Sequence, residues 1–193
     1  MSSDKDLNQL NQLGSSYRDN IGSRNPCDSR FIKNMGNEIL NMWSTILHTN
    51  LCNTEKNKNI DSLFSLIKVL RSSCVEPAVA EQLLNLNFVN KILFSLSEKI
   101  ISADSSVQIF FPSNIYTAIF QLISNYCCCG DLYASNFWNS VVSTGFHRYI
   151  VFCNNIIHSR HCLGAFIAAV YNCIHKYHLS AEVRLICLLN GNS

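Results

Sequence analysis

Three consecutive cysteines, Cys127, Cys128 and Cys129, form the densest group of metal- or redox-capable side chains in a 193-residue sequence that holds ten cysteines and six histidines. Zinc asks for four ligands converging in a tetrahedron, usually supplied as C-x2-C pairs, and no such pair occurs in this chain. Successive residues of a helix point about 100° apart, so at most two of the three thiols can face one ion. His158 and His161, and His175 and His178, have one-turn spacing, and Cys162 and Cys173 lie near them in sequence. A thiol enzyme would further need a cysteine activated by a histidine and a third group to orient it. With so many cysteines and histidines, chance pairs are guaranteed. No G-x-S-x-G, P-loop or G-x-G-x-x-G is present. The expectation is therefore buried thiols and ordinary surface histidines, with no catalytic residue, no cofactor and no metal. A metal- or redox-responsive module built on the Cys-rich helix end is the alternative.

Asn125 and Asn172 are the sharper candidates. Each falls near the end of an apolar helix pattern, 47 residues apart. An exposed Asn amide can pair with both the N–H and the C=O of an extended peptide. If the two helices lie side by side, Gln121 and Asn125 on one and Asn172 and Lys176 on the next form a polar strip for a partner protein, with Thr117 and Ala168 along the same edges. The competing role for each Asn is to bridge neighbouring helices internally.

The elements that would position these residues follow from composition and periodicity. Hydrophobic residues make up 48% of the chain and charged residues only 15%, against a usual charged fraction of about 25%. From Ser105 to His175 the charged residues are Asp131, Arg148 and Arg160 alone. So little charge calls for helices buried on several sides or for an apolar face that takes a partner. A net charge of +2 with no basic run gives no reason to expect nucleic acid. The uncharged stretch is broken by Pro112, Asn114, Gln121 and Asn125, so no membrane span is expected. The N-terminus is polar, with Asp4 and Asp6 and no basic region leading into an apolar core, so it does not read as a signal peptide. Free thiols in a reducing, cytoplasmic compartment follow.

Residues 1–25 are rich in Ser, Asn, Gln, Asp and Gly and read as a flexible tail; residues 26–193 read as one helical domain. Ile32, Met35, Ile39, Trp43 and Ile46 recur at helical spacing between Phe31 and Leu51. NTEKNKN, from Asn53 to Asn59, reads as a polar loop, with the next helix starting near Asp61 or Ser62 and burying Leu63, Leu66, Ile67, Leu70 and Cys74. Pro77 suits the first turn of a short helix. Phe88 to Ile101 is helical through Val89, Ile92, Leu93, Leu96 and Ile100. Ser102 to Pro112 reads as a loop that tucks aromatics into the core. Asn114 to Cys128 buries Ile115, Ile119, Leu122, Ile123 and Tyr126. Asp131 is placed to cap the next helix, which carries Phe137 and Trp138, and Gly145 to end it in the left-handed conformation. Helices over Phe146–Ile157, His161–Tyr177 and Ser180–Leu189 follow. No segment shows strand alternation with hairpin turns, so the fold class is all-α.

The pattern also repeats. An apolar helix, a short helix, Gly-Phe or Asn-Phe and a second apolar helix run from Leu63, then from Ile119, and begin again at Ala165, a period typical of stacked helices. YASNFWNSVVSTG, FHRYIVFCNNI and LGAFIAAVYNC, the last carrying Asn172, resemble in order the three helices of an armadillo repeat. Within that group, the Cys-rich helix end, ASNFW and GFHRYIVFCNN with AAVYNCI are similar to the ataxin-10 family, over about residues 61–190. The resemblance implies an armadillo-like α-solenoid of about two and a half repeats. It also implies a non-catalytic cytoplasmic scaffold that binds other proteins, with a role in cell division. The sequence departs from cargo-carrying armadillo proteins, which place Trp four residues before the inward Asn, where Gln121 and Ala168 stand. The last pattern is apolar through Leu185, Ile186, Leu188 and Leu189, so the expectation there is a piece of a longer solenoid or an end that forms homo-oligomers.

Overall fold

The computed structural model describes residues 29–48, 53–102, 111–146 and 160–176. Seven helices and no strand occur among them: α1 Ser29–His48, α2 Asn53–Ser73, α3 Pro77–Asn85, α4 Phe88–Ser102, α5 Ser113–Cys128, α6 Asp131–Ser143 and α7 Arg160–Lys176. The all-α class is thereby established. None of these helices is long and apolar enough to cross a membrane.

α1 follows its spacing closely: Ile32, Met35, Ile39, Trp43 and Ile46 form the buried face. Its indole N–H donates to Ser95 Oγ at 2.9 Å, so the polar tip of a fully buried ring is satisfied. Phe111 stacks on that indole with centroids 4.3 Å apart, and Tyr116 meets Phe111 edge-on. The connection from α4 to α5 therefore delivers an aromatic into the core at Phe111; residues 103–110 of it lie outside the described ones.

Two local expectations are corrected. NTEKNKN is not a loop, because α2 begins at Asn53 and runs unbroken to Ser73. Glu55 stands in the first turn, where a carboxylate favours the helix dipole, and Glu and Lys are good helix formers. Asp61 and Ser62 are consequently interior residues, not caps. Asp131 likewise does not cap α6. Gly130, at φ 146°, takes that position, and Asp131 is the first residue inside the helix.

The turns behave as their residues require. Pro77 opens α3 after an extended Glu76. Asn87 sits at φ 51° and Gly145 at φ 68°, so both short helices end in the left-handed conformation, once with Asn and once with Gly.

α2, α5 and α7 lie side by side in that order, with α5 between the other two. α1 packs on α2, α3 and α4, while α6 reaches α4, α5 and α7. The core runs without interruption from Ile32 to Cys173. The tail 1–25, the helix expected over Phe146–Ile157 beyond Phe146 itself, and the segment Ser180–Leu189 lie outside the described residues.

Candidate partner-binding site

The four candidate residues sit on two neighbouring helices. Gln121 and Asn125 are one turn apart on α5, both half-buried, while Asn172 is half-buried and Lys176 exposed one turn further along α7. The two pairs belong to adjacent members of the α2–α5–α7 row.

Their hydrogen bonds run backwards along that row. Asn125 Nδ2 donates to the carbonyl of Arg71 on α2 at 2.9 Å. Asn172 Nδ2 donates to Ser124 Oγ on α5 at 2.8 Å, and to the Ser124 carbonyl at 3.4 Å. Arg71 in turn donates through Nη1 to Gln121 Oε1. The internal bridge is thus what both asparagines do. Near the C-terminus of α2, the Arg71 carbonyl is beyond the range of a full helical ladder, so Asn125 satisfies a group the helix alone leaves open. Each amide offers two donors and a carbonyl acceptor; the bond to Arg71 uses one donor of Asn125.

Arg71 and Ser124, the partners of the two asparagines, carry no sequence signal of that role. Asn125 reads a main-chain carbonyl, which every residue type offers equally, so no side-chain pattern could point to its partner.

Cys74, Cys127, Cys129 and Cys173 group near the C-terminal ends of α2, α5 and α7, whereas Cys162 stands in the first turn of α7 beside Thr117. Cys74, Cys127, Cys162 and Cys173 are buried, Cys129 is half-buried and Cys128 is exposed. Adjacent thiols thus diverge around the helix as its geometry demands. Cys129 Sγ donates to the Cys74 carbonyl at 3.2 Å, and Cys173 Sγ to the Ala134 carbonyl at 3.3 Å. Burial pushes the Cys74 and Cys127 thiols well up, with neighbouring thiols adding to it, and pushes Cys129 up in the same way. Burial also raises Cys162 to about 11, partly opposed by a hydrogen bond with Thr117. Such thiols stay protonated near neutral pH, whereas nucleophiles and metal ligands are thiolates. Among the described residues no three His, Cys, Asp or Glu side chains gather as a metal site would need. His161 and His175 are exposed. His175 stacks flat on Tyr171, with ring centroids 6.0 Å apart. His158, His178, Cys153 and Cys187 lie outside the described residues.

The aromatics near α6 divide. Phe137 and Phe146 are buried, while Trp138 is partly buried against the core. Phe120 meets Phe166 edge-on at 5.1 Å and Phe146 at 6.5 Å, so these rings join α5 to α7.

No family model, no curated protein and no solved structure matches this chain.

Proposed function

We propose that the chain is a non-catalytic protein–protein interaction scaffold built on armadillo-like repeats, of the kind the ataxin-10 resemblance implies, acting in the cytoplasm with a role in cell division. The observation that carries this reading is the recurrence of one device at one register. Asn125 and Asn172, 47 residues apart, each reach back to the preceding helix of the row. A repeated seam of this kind supports stacked units whose interactions are with nearest neighbours. The strip Gln121, Asn125, Asn172 and Lys176 runs across that seam and is the proposed contact for a partner protein.

The test is affinity capture followed by mass spectrometry, comparing the native chain with Lys176→Glu and with Asn125→Ala plus Asn172→Ala. Lys176 is exposed, so its variant should lose partners at an unchanged melting temperature. Partners retained by both variants would remove the strip from the proposal. The metal- or redox-responsive alternative gains no support from thiols held protonated by burial. One stoichiometric zinc per chain in an elemental analysis would reverse that ranking.

A further inference from the structure

Arg71 and Gln121 meet where α2 and α5 lie side by side. The Arg71 carbonyl stands level with Asn125 and the Cys74 carbonyl with Cys129, so the two helices run in the same direction. Side chains lean toward the start of their helix. The Arg71 guanidinium accordingly reaches back to Gln121, one turn, about 6 Å, before Asn125. It lies away from the open carbonyls at the ends of α2 and α5, where a basic side chain would answer the helix dipole.

The pair is rich in hydrogen-bond donors. A guanidinium has five N–H groups and no acceptor, and Nη1 gives one of them to Gln121 Oε1. With its oxygen engaged, Gln121 adds the two N–H groups of Nε2. Both side chains are half-buried. Donors taken partly out of water call for acceptors, and an ionised carboxylate is the side chain that only accepts. Among the described residues the acids stand elsewhere. α5 and α7 hold none beyond their uncharged and basic residues. Asp61, the nearer acid of α2, is about 15 Å before Arg71 along the axis. Glu76 lies beside Cys129, two turns past Gln121. The neighbouring charges are positive. Lys68 is exposed one turn before Arg71, its ammonium 5.4 Å from the Phe64 ring centroid, and Lys176 is exposed at the end of α7.

We propose that the strip receives an acidic segment of a partner protein, and that Arg71, together with Gln121, holds a carboxylate of that segment. This rests on the scaffold reading and adds to it the chemistry of the partner and a specificity residue, Arg71, outside the four-residue strip. The carboxylate accepts two parallel N–H bonds from the guanidinium, and the Gln121 amide donates beside them. Lys68 and Lys176 attract further acids of the same segment.

The test presents the full chain to a displayed library of random dodecapeptides. Asp and Glu should be enriched among the peptides retained. The tightest of them, measured by fluorescence anisotropy, should bind Arg71→Lys about ten-fold more weakly, because lysine keeps the charge but loses the paired fork. Lys68→Ala, at an exposed residue, should weaken it by about three-fold, a second reading that does not depend on how the Arg71 variant folds. Lys91→Ala, at an exposed cation on α4, should leave it unchanged. Retained peptides that are basic or apolar, or none at all, overturn the proposal. So does undiminished binding of the acidic peptide by Arg71→Lys, and so does a single strand of thymidine nucleotides bound as tightly with the same dependence on Arg71. Partners lost from Lys176→Glu in the capture experiment but kept by Arg71→Lys would leave the scaffold reading standing and remove the acidic segment alone.

Discussion

Asn125 uses an amide donor on a carbonyl of the neighbouring helix, and that single bond sets what its removal should do. Asn125→Ala leaves the Arg71 carbonyl half-buried without that donor, a loss of about 1 kcal/mol, seen as a lower midpoint in urea with an unchanged slope. The thiols make a second residue-scale prediction. In the native protein, among the described cysteines, iodoacetamide at pH 8 should label Cys128 first and spare Cys74, Cys127, Cys162 and Cys173 until the chain unfolds, as peptide mapping would show. Their shifts also fix the sign of the alkaline response. Cys162 is raised from 9.0 to about 11, so between those values the unfolded chain has lost the proton that the native chain keeps. Its stabilising contribution is full below pH 9 and disappears as pH rises toward 11. Melting temperatures at pH 8 and pH 10.5 should show the fall, and Cys162→Ala should make it shallower.

Helix ends and helix contacts carry the next set of consequences. Asn87 ends α3 at φ 51°, a conformation in which an ordinary side chain costs roughly 1–2 kcal/mol. Asn87→Ala should destabilise by about that much, whereas Asn87→Gly should be tolerated; thermal melts separate the two. Gly36 on α1 faces α3, where an added Cβ would stand 2.6 Å from Leu86 Cδ1. Gly36→Ala should therefore cost about 1–3 kcal/mol through overpacking, relieved in part by shortening position 86 to Val. At this scale, what could be read from sequence depended on apolar spacing. Ile32 to Ile46 announced α1 because burial leaves a period of three and four. NTEKNKN has no apolar residue to show a period, so from sequence the solvated first turns of α2 look the same as a loop. Asp131 looked like a cap by type, yet Gly130 already supplied the turn into α6. The asparagine register could be read because it recurs, while Arg71 and Ser124 could not be foreseen as the groups it meets.

Across the whole molecule, the α2–α5–α7 row makes α5 the member on which both neighbours depend. Phe120→Ala, which empties the contact with Phe146 and Phe166, should cost about 3–5 kcal/mol and loosen α7 before α1. Hydrogen exchange would show this as amides of residues 160–176 opening ahead of those of residues 29–48. The tryptophans turn that ordering into something visible by light. Two occur in the chain. Trp43 is sealed in the core at one end, hydrogen-bonded to Ser95 and stacked on Phe111, whereas Trp138 lies partly open on α6. Their emission colours must differ accordingly, blue for the sealed ring and redder for the open one. Fluorescence from Trp138→Phe and Trp43→Phe variants then reads the two ends separately, so the protein carries its own optical gauge of which end lets go first.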